Sequence, residues 1–97
     1  MSETRDRTQY LSEPVQIALG IQTALLAAWP QPSNSKELEQ HTGGSRDQVY
    51  RALCNLEHAG AAEQTAAGWM IGPAVSGAAE RIRKRTAELL TLYLPQD

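Results

Sequence analysis

Two helix-start signals stand eleven residues apart, at Asn34 and Ser45, with Gly43-Gly44 between them. Each has the spacing of a capping box. Asn34 is followed three residues on by Glu37, and Ser45 by Gln48. In such a box the first side chain accepts an orphan backbone N–H, and the later one reaches back to the cap's own N–H. Glycine at 43–44 supplies the left-handed conformation that ends a helix. An αα-hairpin with good caps occurs in many folds, so the pair alone does not choose among them. Val49, Ala52, Leu53 and Leu56 recur at helical spacing, so the second helix, expected over 46–59, buries one face and ends at Gly60.

The segment after Gly60 narrows the choice. Ala62-Glu63-Gln64-Thr65 and Trp69-Met70-Ile71 are short extended stretches separated by Ala66-Ala67-Gly68, with Gly68 expected to supply the turn. Pro73 suits the first turn of a further helix. A capped helix pair, a hairpin and another helix, in that order, predict a mainly α fold with a small β-hairpin: a winged helix-turn-helix with a long C-terminal helix.

Upstream, a helix starts at Glu13-Pro14. Val15, Ala18, Leu19, Leu25, Leu26 and Trp29 form one apolar stripe, and Ile17, Ile21, Ala24 and Ala28 a second. A helix apolar on nearly all sides is expected to be buried on nearly all sides. Pro30-Gln31-Pro32 ends it and directs an extended link into Asn34. The organisation expected is a flexible arm over 1–12, the winged helix over 13–73 and the C-terminal helix over 74–97. That last helix repeats Val75, Ala79, Ile82, Leu89 and Tyr93, joined by Leu90, Leu92 and Leu94. Its leucines need a partner, either the first helix of the same chain or a symmetry mate, and a two-fold homodimer is the preferred solution.

At 97 residues the chain suffices for one small domain. No apolar run is long enough to span a bilayer, and MSETRDRTQ lacks the apolar segment of a secretory signal. The single cysteine, Cys54, cannot form an intramolecular disulfide, and a cytoplasmic location is expected. Lying between Leu53 and Leu56, Cys54 is expected to be a buried or half-buried structural residue, because a reactive thiol needs an electropositive site. His41 and His58 lack the paired spacing of a zinc site. No cofactor motif, phosphate loop or nucleophile–base set is apparent, so an enzyme is not expected.

The net charge is −2, and its distribution is informative. Residues 33–72 carry Lys36, Arg46 and Arg51 against Glu37, Glu39, Asp47, Glu57 and Glu63, a balance of −2. Residues 73–97 carry Arg81, Arg83, Lys84 and Arg85 against Glu80, Glu88 and Asp97, a balance of +1. The basic run at 81–85 reads as a solvated helix face, a phosphate contact, or a partner for Glu37 or Glu39 of a neighbour. In the arm, Arg5 and Arg7 face solvent or phosphate.

The runs ALGIQTALLAA, NSKELEQHTG, SRDQVYRALCNLEHAG and WMIGPAV together resemble the N-terminal DNA-binding domain of IclR-type transcriptional regulators. The similarity is densest at Val49, Tyr50, Arg51, Leu53, Leu56 and Gly60, and again at Trp69, Gly72 and Pro73. It covers roughly residues 15–77 and implies a winged helix that binds duplex DNA as a dimer. The large ligand-sensing domain usual in that family has no room here, so small-molecule sensing is not expected. A rival resemblance, to the N-terminal dimerisation domain of small-molecule O-methyltransferases, implies the same plan used as a scaffold or protein-interaction module.

On the first reading, the helix from Ser45 enters the major groove. Its outward side is expected to carry Arg46, Gln48, Tyr50, Arg51 and Asn55. Arg46 suits bidentate readout of guanine, and Gln48 suits adenine unless its cap holds it. Ser33, Ser45 and Arg51 suit phosphate, which sets register rather than sequence. On the second reading the acidic head and the cation-free wing tip meet a protein partner instead.

Overall fold

A computed structural model describes residues 7–93. Arg5 and Leu94 lie outside them, as does the first half of the expected arm. Of that arm, Thr8–Tyr10 forms a single exposed 3-10 turn. The chain is a winged helix: α1 Glu13–Ala28, α2 Ser35–Thr42, α3 Arg46–His58, β1 Ala62–Thr65, β2 Gly68–Ile71 and α4 Pro73–Tyr93.

Both capping boxes form. Asn34 Oδ1 accepts the Glu37 N–H at 2.8 Å, while the Asn34 N–H donates to Glu37 Oε1 at 2.8 Å. Ser45 Oγ accepts the Gln48 N–H at 3.2 Å, and the Ser45 N–H donates to Gln48 Oε1 at 2.9 Å. Gly43 closes α2 at φ 76°, its N–H on Glu39 O at 2.8 Å. Beyond α3, which stops one residue short of the expected 59, Gly60 turns the chain at φ 78°.

The core is one cluster: Ile17, Ile21 and Leu25 of α1, Leu38 of α2, Val49, Ala52 and Leu53 of α3, Ala62 of β1 and Trp69 of β2. Helix α1 differs from the sequence expectation in two ways. Leu25 belongs with Ile17 and Ile21, because steps of four residues stay on one side of a helix. The other stripe is uncovered: Val15, Leu19, Leu26 and Trp29 are each about half exposed. Within one chain, α1 therefore buries one side only.

In the hairpin, Ala62 pairs with Ile71 and Thr65 with Gly68, leaving Ala66-Ala67 as the turn. Thr65 Oγ1 organises it, accepting the N–H groups of Ala67 and Gly68 at 3.2 Å and donating to Gly68 O at 2.8 Å. Gly68 is thus the first residue of β2 rather than part of the turn. Glycine is required there for a different reason: at φ 141°, a Cβ would meet Ser33 O at 2.8 Å. Ser33 adds a third extended segment beside β2, exchanging two backbone hydrogen bonds with Trp69 at 2.9 and 2.8 Å.

Helix α4 departs from this head with no buried residue. Its exit is firmly held. The Gly72 N–H donates to Ala61 O at 2.9 Å and the Ala74 N–H to Gly60 O at 3.0 Å. A Cβ on Gly72 would lie 2.2 Å from Gly60 O, so no other residue fits without moving backbone. The radius of gyration is 17.7 Å, whereas a compact chain of this length has one of about 13 Å. None of the described helices is long and apolar enough to cross a membrane.

Candidate nucleic-acid interface

Helix α3 turns Val49, Ala52 and Leu53 into the core, and successive residues advance by 100°, so the side opposite carries Asp47, Arg51, Cys54 and His58. The residues expected to read a partner flank this row on both sides. Toward the hairpin, Arg46 and Tyr50 line a cleft of about 560 Å³ with Ser35, Asp47, Gln64 and Trp69. Toward α1, Gln48, Arg51 and Asn55 line a groove of about 460 Å³ with Pro14, Val15, Ala18, Leu19 and Ala52. The fold therefore brings Arg46, Gln48, Tyr50, Arg51 and Asn55 onto one helix but divides them between two concavities, with Asp47 on the wall of the first.

Their states differ. Arg46, in the first turn of α3, is exposed and has no ion pair or hydrogen bond among the described residues. Arg51 Nη2 lies 2.9 Å from Asp47 Oδ2, with both side chains largely in solvent. A pair this exposed contributes at most ~1 kcal/mol, yet it places a carboxylate beside the cation that a phosphate would need. Gln48 Oε1 is engaged by the Ser45 N–H, which removes one half of a bidentate adenine contact. Asn55 Nδ2 donates to Arg51 O of its own helix at 2.8 Å, leaving its carbonyl oxygen outward. The Ser45 hydroxyl accepts at the cap and keeps its own proton to donate.

Two expectations require correction. Ser33 is buried, 7% exposed, and its backbone is committed to Trp69, so it does not reach a phosphate on the α3 face. Cys54 is exposed, not buried. One step past Leu53 rotates it 100° away from the core, and adjacency to Leu53 in sequence misplaces it. Its thiol first, then desolvation and last Glu57 hold the Tyr50 phenol above its ordinary value, so Tyr50 remains a hydrogen-bond donor into alkaline solution.

Asp47 is legible in the sequence as a charge on this face, whereas Cys54 and His58 are missed when outwardness is inferred by exclusion and not by rotation. A helical projection anchored on Val49, Ala52 and Leu53 would have shown them. Ser35 and Gln64 were inaccessible to that method, because only the tertiary fold carries them to Arg46. Half of the basic run is self-satisfied: Arg83 pairs with Glu80 and Arg85 with Glu88 within α4. Arg81 and Lys84 have no partner among the described residues. No group of three or more His, Cys, Asp or Glu side chains among the described residues is placed to hold a metal.

No protein-family model, curated protein or solved structure matches this chain.

Proposed function

We propose that this chain is a sequence-specific duplex-DNA-binding regulator of transcription, acting in the cytoplasm as a homodimer with α3 in the major groove. The observation that carries the reading is Arg46. It is an unpartnered guanidinium in the first turn of an exposed helix, set between a helix-turn-helix glycine turn and a hairpin. N-terminal residues of such a helix are the ones that meet base edges, and arginine reads guanine O6 and N7 together. Ser45 and Tyr50 stand beside it as hydroxyl donors suited to phosphate or base edges. The order of motifs shared with IclR-type regulators supports the same reading.

A second reading has its own observation. The Asp47–Arg51 pair and a wing turn made of Ala66-Ala67 leave little net positive potential near α3. A protein-interaction module would need none.

The deciding experiment is a salt series of binding to mixed genomic duplex fragments. Wild-type binding should weaken steeply with salt, through counterion release. Arg46→Ala should lose about 1–3 kcal/mol of specific binding and relax one base position. Asp47→Ala, which frees Arg51, should tighten binding. Absence of binding at low salt, or indifference to both substitutions, would establish the interaction reading instead.

A further inference from the structure

One side of α1 and one side of α4 share a period. In α1 it holds Val15, Leu19, Gln22, Leu26 and Trp29, advancing by four, three, four and three residues. Helix α4 is exposed throughout from Ala79 to Tyr93, and along one side of it Ala79, Ile82, Thr86, Leu89 and Tyr93 advance by three, four, three and four, with Leu90 and Leu92 outside that row. Both are the 3.5-residue seam of helices that pack knobs into holes. Each seam is apolar except at its central position, Gln22 in one and Thr86 in the other. The Gln22 side-chain oxygen is enclosed without a hydrogen-bond partner, and the Thr86 hydroxyl has none among the described residues. Thr23, by contrast, donates to its own helix at Leu19 O.

We propose that α4 of a second copy packs antiparallel along α1, with Thr86 of one protomer opposite Gln22 of the other. The proposal rests on the two-copy reading above; because Val15 and Leu19 also wall the groove that holds Gln48, Arg51 and Asn55, it sets the partner's α4 beside those three and leaves Arg46 and Tyr50 as the residues open to DNA. The mirrored spacings select the direction. Run antiparallel, the seams match at every position: Gln22 with Thr86, Leu26 with Ile82, Leu19 with Leu89, Val15 with Tyr93 and Trp29 with Ala79. The largest side chain thus meets the smallest. Run parallel, the steps of four and three fall out of phase, and every seam-to-seam register sets Gln22 against an apolar residue. The Gln22 oxygen is already enclosed within its own chain, so the bond open to the pair runs from the Gln22 amide N–H to the Thr86 hydroxyl.

Three further observations favour a partner copy. The exit of α4 is pinned at Gly60, Ala61 and Gly72, so its seam does not swing back to its own α1. The seven large seam side chains, Val15, Leu19, Leu26, Trp29, Ile82, Leu89 and Tyr93, are 37–79% exposed. Covering them removes on the order of 800 Å² per protomer, the size of a standard stable interface. An α4–α4 pair would leave the α1 seam in water, whereas the exchanged pairing covers both seams with one two-fold operator.

Two full-length chains, each in a Cys54→Ser background, test this: one carrying Leu19→Cys, the other Leu89→Cys. Mixed and oxidised without DNA, they should give mainly the 19–89 linked species, and unlinked protein should sediment at twice the monomer mass. Thr86→Val should raise the dimer dissociation constant ~10-fold by stranding the Gln22 amide, and adding Gln22→Leu should recover most of it. A monomer at tens of micromolar, or a dominant 89–89 link, would overturn the pairing. Since neither readout involves DNA, failure here leaves the DNA-binding reading to its own salt series.

Discussion

The head of this protein and its last helix are built from similar residues and end in opposite states. Helix α3 and helix α4 both carry an apolar residue every three to four positions. In α3, Val49 and Leu53 are each 1% exposed, while in α4 Ile82 is 66% exposed. Periodicity is the same; complementarity is not. Three helices and a hairpin enclose the head's core, α3's apolar side included, from within the same chain, and nothing in one copy surrounds α4's. An amphipathic pattern thus states that a face will be covered without stating by what.

That contrast can be broken most forcefully in the core. Ile21→Ala, at a fully buried site that α1 presents to α3, should cost about 2–5 kcal/mol in chemical denaturation. Ile82→Ala should leave the unfolding free energy of the dilute head within ~0.5 kcal/mol. Equal losses would mean that α4 belongs to the head's cooperative unit.

The local devices come next. Removing either cap, by Asn34→Ala or Ser45→Ala, should destabilise the head by ~1 kcal/mol, with little interaction between the two because they serve different helices. No comparable substitution exists at the start of α4, where Pro73 fills the first position and backbone bonds to Gly60 and Gly72 hold the turn.

Smallest is an effect on titration. The Tyr50 phenol is held above its ordinary value first by Cys54, then by desolvation and least by Glu57. Its ultraviolet titration should therefore lie above that of free tyrosine and move down toward it in Cys54→Ala. A raised tyrosine value favours the protonated form, so any contribution to stability is present below the ordinary value and lost as pH rises through the folded one. An unshifted titration in the variant would show that Cys54 does not face Tyr50.

Much of the fold was legible because its signals are local. The boxes at Asn34 and Ser45 act over three residues, and Gly43 and Gly60 answer to backbone sterics alone. The hairpin strands were placed to within a residue, although Gly68 was assigned to the turn rather than to β2. The clash that demands glycine there comes from Ser33, thirty-five residues away in the chain. The interface was less legible. Arg46 and Tyr50 do lie outward on α3 as expected, lining one cleft, but Ser33 was misjudged because its burial depends on pairing with Trp69. Cys54 was misjudged because a neighbour in sequence was taken for a neighbour in space.

By itself, then, the sequence determined where helices begin and end, that the second of the pair would turn Val49, Ala52, Leu53 and Leu56 inward, and that the last helix would carry an unmet apolar face. Hydrogen bonds over three or four residues and the 100° helical step suffice for each of these. Tertiary structure alone decided which side of α1 enters the core, that the α3 face is divided between two concavities, and that α4 leaves the head uncovered. Those outcomes depend on where distant backbone lies, and no local pattern encodes that.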